Sequence, residues 1–136
     1  MYELFEHTAD LGLRVQADSL EALFIDAARG LLAMLVADPA TVRPQTTKTI
    51  ALSADEPAYL LFDWLSELLY AFETDRLLLV EFEITIDGNK LTATCRGEPM
   101  DESRHRMEHE VKAITYHGLK LEKTPAGWFA EIIVDI

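Results

Sequence analysis

Apolar residues recur along the chain with two periods, and the switches between them mark out its elements. From Leu11 to Ala17 apolar residues alternate with small or polar ones, the two-residue period of a strand with one buried face. Beyond it the spacing widens, and Leu20, Leu23, Phe24, Ala27, Leu31, Met34 and Leu35 share one face of a helix. Asp18 with Glu21 three residues later predicts a capping box at its start. Asp38-Pro39 ends it, because the proline ring disfavours helical geometry at the residue before it. Thr46 to Leu52 reads as a second strand. A second helix starts at Ser53 to Pro57, with proline in the first turn, where its missing N–H does no harm. That helix gathers Leu61, Trp64, Leu65, Leu68, Leu69 and Phe72 on its apolar face and leaves Asp63, Glu67 and Tyr70 on another side.

The second half of the chain reads mostly as strands. Leu78 to Ile86 and Lys90 to Arg96 flank the turn Asp87-Gly88-Asn89, a hairpin signal. Glu98 to His105 is a polar connection with room for a short helical turn. Val111 to Glu122 and Trp128 to Ile136 are two further strands, joined by the turn Lys123 to Gly127. The predicted order is β-α-β-α-β-β-(short helix)-β-β. This is an α+β chain: a single domain over residues 1–136, with two amphipathic helices packed on a largely antiparallel sheet.

Charge narrows the functional classes. Asp and Glu number 24 against 12 Lys and Arg, a formal net charge of −12. A surface of that sign repels a phosphate backbone, so tight unaided binding of nucleic acid is not expected. It suits a hard cation or a basic patch on another protein, or it serves solubility alone. The single cysteine, Cys95, excludes an intramolecular disulfide and a Cys-rich zinc site, and its place on the apolar side of Leu91 to Cys95 predicts a buried thiol. The start of the chain has no signal-peptide pattern and no apolar run approaches a membrane span, so a cytoplasmic protein with no membrane partner is expected.

Three places carry polar residues that a core does not explain: Glu6 to Gly12, His109 to His117, and the closing Ile133-Val134-Asp135-Ile136. Each has a plain structural explanation. Asp10 fits a turn residue as well as a metal ligand. His7 and His117 fit hydrogen-bonded histidines at a core edge, and Lys112 an exposed strand residue whose stem covers apolar surface. Asp135 fits a solvated terminal residue. Against fraying, Trp128, Ala130, Ile132, Val134 and Ile136 alternate with Phe129, Glu131, Ile133 and Asp135 to the last residue, so a strand holds the terminus in place. Asp135, the Ile136 carbonyl or carboxylate and a second acid such as Asp10 would then make an all-oxygen ligand set. Hard cations such as Ca²⁺ or Mg²⁺ prefer that set, whereas zinc and copper call for more His or Cys. The spacing by itself does not bring Asp10 and Asp135 together.

The segments His7-Thr8-Ala9-Asp10-Leu11-Gly12, Glu110 to His117 and Val134-Asp135-Ile136 closely resemble the archease family. The helix Leu61 to Tyr70 and the Gly97-Glu98 step match as well, so the resemblance covers the whole chain in order. Leu11 stands where isoleucine is common, a change of shape only. The resemblance implies a compact α+β accessory protein that is not itself an enzyme. Its implied partner is the RtcB-type RNA ligase of tRNA splicing, whose guanylylation and turnover it promotes through a bound divalent metal. It also implies Asp10, Asp135 and Ile136 as metal ligands, the last through a main-chain oxygen. Lys112 and Glu110 follow as candidates for partner contact, with His7 and His117 beside them.

Two other functions compete. A chaperone-like modulator of another RNA-processing enzyme, such as a methyltransferase, shares every surface feature. A small metal-dependent hydrolase built on His7, Asp10 and His117 has suitable residue types, but the chain carries no nucleophile elbow, phosphate loop or two-His zinc motif.

Overall fold

The computed structural model describes residues 1–7 and 10–136; Thr8 and Ala9, inside the His7–Gly12 motif, lie outside the described residues. The chain runs β1 (Tyr2–His7), β2 (Asp10–Ala17), α1 (Leu20–Leu35), a 3-10 turn at Pro39–Thr41, β3 (Thr46–Ser53) and α2 (Pro57–Asp75). It continues through β4 (Leu77–Asp87), β5 (Lys90–Pro99), β6 (Ala113–Ile114), β7 (Lys120–Thr124) and β8 (Gly127–Asp135). The α+β class and the order of the predicted elements hold. The strands form two antiparallel sheets, one of five strands in which β1, β2 and β8 lie side by side, and one of three in the order β3-β5-β4. Both β6 and β7 pair with the far edge of β8.

Three details differ from the sequence pattern. A first strand, β1, precedes the predicted one and pairs along β2 from Tyr2↔Val15 to His7↔Asp10. Ser19, rather than Asp18, caps α1, its Oγ accepting the Ala22 N–H at 3.1 Å. The predicted strand Val111 to Glu122 is divided into β6 and β7 by a turn in which Gly118 takes a φ of 65° and Leu119 N–H reaches the Tyr116 carbonyl at 3.2 Å. The polar connection after β5 holds a single helical turn, where the N–H groups of Arg104 and His105 both bond the Asp101 carbonyl.

Burial explains the pairing. Leu11, Leu13 and Val15 of β2 and Ala130, Ile132 and Val134 of β8 face inward, and they join Phe24 and Leu31 of α1, Trp64 and Leu65 of α2, and Leu91 of β5 in one cluster. Trp64 is fully buried, and its indole N–H donates to the Phe24 carbonyl at 3.0 Å, which ties α2 to α1 without leaving a polar atom unpaired. The carbonyls of Met34 and Leu35, left over at the end of α1, accept the N–H groups of His109 and Glu108 at 3.0 and 2.9 Å. The chain returning from β5 therefore closes that helix end. Among the described residues no helix is long and apolar enough to cross a membrane.

Cys95 is buried as expected. Burial pushes its thiol up to about 11, against the pull of Lys48 paired opposite on β3. Two residues along β5, the register against β4 shifts between Leu79 and Glu81. There Gly97 passes so close to β4 that a Cβ would sit 1.8 Å from the Leu78 carbonyl oxygen. The obstruction is backbone, which a rotamer change cannot clear. Gly97→Ala is expected to cost about 3 kcal/mol, the upper end of overpacking penalties. Guanidinium unfolding would read this, and an unchanged midpoint would show that β4 yields freely.

Candidate functional site

Inward-facing Leu11, Leu13 and Val15 leave Asp10, Gly12 and Arg14 on the outer face of the five-stranded sheet, because side chains alternate along a strand. Residues directly opposite across strands share a face. The register places His7 opposite Asp10, Asp10 opposite Asp135, and Asp135 opposite Ala113. His7, Asp10 and Asp135 thus form one transverse row over β1, β2 and β8. The next row inward is Phe5, Gly12 and Ile133. Phe5 lies over Gly12, where a Cβ would fall 2.1 Å from its ring, and the Arg14 guanidinium covers Phe5 at 3.9 Å.

The row after that gives an internal comparison. Arg14 stands between two acids, with Nη1 3.6 Å from Glu3 and Nε donating to Glu131 at 3.1 Å. In the His7 row the acids Asp10 and Asp135 stand side by side instead, and among the described residues no lysine or arginine pairs with either. Cross-strand Cβ atoms lie about 4.5–5.5 Å apart, and like charges there destabilise a sheet. Asp135 is exposed and Asp10 half-buried. The end of the chain is held nearby, since Lys112 N–H donates to the Asp135 carbonyl at 2.8 Å and Ile136 packs against the core.

Asp10, Asp135 and a main-chain oxygen of Ile136 would supply an all-oxygen donor set, the chemistry that a hard divalent cation prefers. They do not fit a site built wholly of side chains. Among the described residues His, Cys, Asp and Glu do not gather in threes at metal-binding range. His7 approaches most closely, with Nδ1 3.8 Å from Asp10 Oδ2. That nitrogen is shielded from solvent and has no hydrogen-bond partner among the described residues. Its ring lies 5.7 Å from that of His117. Glu110 and Lys112 are exposed just before β6. Downstream, Thr115 anchors the segment by donating both its N–H and Oγ1–H to the Ile133 carbonyl, at 3.1 and 2.8 Å.

A second polar cluster was not singled out by sequence. Glu98 and His105 are the buried polar residues of the chain's described part. Glu98 Oε2 accepts the Arg43 N–H at 2.7 Å, and Oε1 accepts from Arg104. His105 Nδ1 accepts the Asp101 N–H at 2.9 Å, so its proton is on Nε2, which lies 3.0 Å from Glu98 Oε2 and donates to it. Burial pushes the Glu98 carboxyl up, but the bonds from Arg43, Arg104 and His105 outweigh it and hold the group below the usual carboxylate range. The cluster fixes the start of the connection that leads to Glu110 and Lys112. The hints in the sequence were the Gly97-Glu98 step and the concentration of charge in that connection.

A small two-sheet α+β domain, with an acidic pair at one end of an outer sheet face and a cationic and aromatic segment beside it, is the class of protein so defined. The Archease protein family (MTH1598/TM1083) matches residues 2–136. Proteins named archease from Methanopyrus kandleri and Pyrococcus abyssi are 39% and 37% identical over 139 and 140 residues, covering 99% of this chain and 99% and 98% of theirs. The chain belongs to the archease family. The solution structure of Methanobacterium thermoautotrophicum protein 1598 superimposes with a TM-score of 0.85 at 31% identity, over 99% of this chain and 98% of that one. The crystal structure of a Thermotoga maritima archease, described as a possible chaperone, shares the fold with a TM-score of 0.67 at 24% identity, covering 100% and 98%.

Two predictions follow from charge. In chelator, Asp10→Asn is expected to be more stable than wild type by about 0.5 kcal/mol, because one of two opposed carboxylates is removed. Urea unfolding would measure this, and a loss of stability would mean that Asp10 is already compensated. Glu98 ionises more readily folded than unfolded, so its contribution is present above the unfolded value of about 4.3 and is lost as pH falls through the folded pKa. Glu98→Gln should therefore be less stable at neutral pH yet lose less stability on acidification. Parallel pH profiles for the two proteins would rule out Glu98 as an acid-sensitive group.

Proposed function

We propose that the protein is an accessory factor of an RtcB-type RNA ligase in tRNA splicing, promoting guanylylation of the ligase and its multiple turnover, with no catalytic activity of its own. The observation that carries this reading is the pairing of Asp10 with Asp135 on one sheet face, beside the segment that bears Glu110, Lys112 and His117. It rests also on membership of the archease family.

In this reading Asp10, Asp135 and a main-chain oxygen of Ile136 hold a divalent cation, Ca²⁺ or Mg²⁺. When bound, such an ion supplies positive charge able to neutralise phosphate oxygens in nucleotidyl transfer. The protein's own residues hold the two carboxylates in register, fix the approach of the 110–117 segment through Thr115, and present Lys112 and Glu110 to the ligase. His7 and His117 complete that contact. The net charge of −12 favours encounter with a basic RNA-binding cleft and acts more on the rate of association than on affinity.

The test is guanylylation of the cognate RtcB-type ligase by GTP, with and without catalytic amounts of the protein. Wild type is expected to stimulate; Asp10→Ala and Lys112→Glu should each lose about tenfold or more, equivalent to about 1.4 kcal/mol. Both variants should keep wild-type far-UV circular dichroism. Absence of stimulation by folded wild type would overturn the ligase reading. It would favour a chaperone-like modulator of another RNA-processing enzyme, such as a methyltransferase; of the Thermotoga relative the description says only that it is a possible chaperone.

A further inference from the structure

We infer that Tyr59, Phe62 and Tyr116, with the acidic flank of α2, form a docking surface for an arginine-bearing, basic segment of a protein partner. The inference builds on the accessory-protein reading and adds a second contact region to the residues assigned above.

Tyr59, Tyr70 and Tyr116 are among the most exposed large side chains, at 48%, 61% and 59%. Single exposed aromatics such as Tyr70 are ordinary, but Tyr59 and Tyr116 are organised. The Tyr116 ring stacks on Phe62 with centroids 3.8 Å apart and planes 11° from parallel, and it meets Tyr59 edge-on at 6.0 Å. The backbone beneath Tyr116 is tied down on both sides, by Thr115 to Ile133 and by the Leu119 N–H. A partner would therefore meet rigid aromatic anchors whose ordering cost is already met in the free protein, the condition under which tyrosines dominate interfaces.

The surroundings state the charge of the occupant. Helix α2 contains no lysine, arginine or histidine. Asp63, Glu67 and Tyr70 follow Tyr59 along the same flank at helical spacing. Its last turns carry Glu73 and Asp75, at the end where the helix dipole favours cations. Tyrosine faces bordered by carboxylates suit a guanidinium, which stacks on the ring while its N–H fork reaches the acid. A lysine ammonium satisfies that geometry less well, and a phosphate backbone is repelled.

The patch is continuous with the candidate metal centre. Tyr116 adjoins His117, whose ring neighbours that of His7, which in turn faces Asp10. One basic partner surface can span both.

The experiment measures fluorescence anisotropy of labelled nona-arginine and nona-lysine peptides, equal in charge, on wild type and on a Tyr59→Ser/Tyr116→Ser variant. Wild type is expected to bind nona-arginine at least threefold more tightly than nona-lysine. The variant should lose at least fivefold for nona-arginine and less than twofold for nona-lysine. Equal binding of the two peptides by wild type, or no effect of the variant, would overturn the proposal by showing general electrostatics alone. Tyr59→Phe/Tyr116→Phe should retain binding. Should the serine variant fail to fold, Asp63→Lys decides the same question through a fivefold loss of nona-arginine binding or none.

A parallel arm titrates the purified RtcB-type ligase. Binding by wild type with a tenfold loss in the serine variant supports the surface. Equal binding by both overturns the surface and leaves the ligase reading intact. No binding by wild type overturns the ligase reading, and the peptide comparison still decides the surface.

Discussion

The pairing of β2 with β8 is the constraint on which the other features depend. It runs from Asp10↔Asp135 to Ala17↔Trp128, and it turns Leu11, Leu13 and Val15 inward together with Val134, Ile132 and Ala130. Because side chains alternate, a slip of β8 by one residue would drive Glu131, Ile133 and Asp135 into the core and expose its branched residues. The apolar face therefore fixes the register with a large energetic margin, and the outer face inherits it. The juxtaposition of two carboxylates, unfavourable in itself, is maintained by burial on the opposite side of the same strands. Stability and the candidate metal centre are two faces of one pairing.

The connection between the two sheets carries a different constraint. It leaves β5 at a glycine pressed against the Leu78 carbonyl, passes the buried Glu98–His105 contact, and closes the end of α1 with the N–H groups of Glu108 and His109. It arrives at Lys112 hydrogen-bonded to the last residue of β8. A segment with almost no regular structure is thus held at every few residues. The residues proposed above to meet a partner are delivered by a loop, but by one whose freedom has been removed in advance.

Much of this was legible in the chain. The two helices, the β4–β5 hairpin and β8 follow from periodicity and turn residues, because these are local signals. Strand β1 was missed because its apolar residues fall on both faces: Leu4 packs toward the core while Phe5 covers Gly12 on the outside. The division into two sheets was not legible, since strand partners are chosen by packing across the whole molecule. Asp10 and Asp135 stood out as acids without a core explanation, yet only the register of strands from opposite ends of the sequence puts them side by side. The Glu98 cluster escaped because a buried carboxylate and the donors that satisfy it look, in sequence, like any polar loop.

The central position of β8 has a consequence for how the protein is made. It is the final element in chain order, yet it lies between β2 and the short strands β6 and β7. As the polypeptide emerges from the ribosome, the β1–β2 hairpin appears with one edge and one apolar face open, and it waits for β8 until the elements between them have been translated. The five-stranded sheet closes late, by insertion rather than by growth at an edge, and its formation depends on contacts of great sequence separation, which fold slowly. The acidic pair forms with that insertion, so a nascent chain that lacks β8 does not display it.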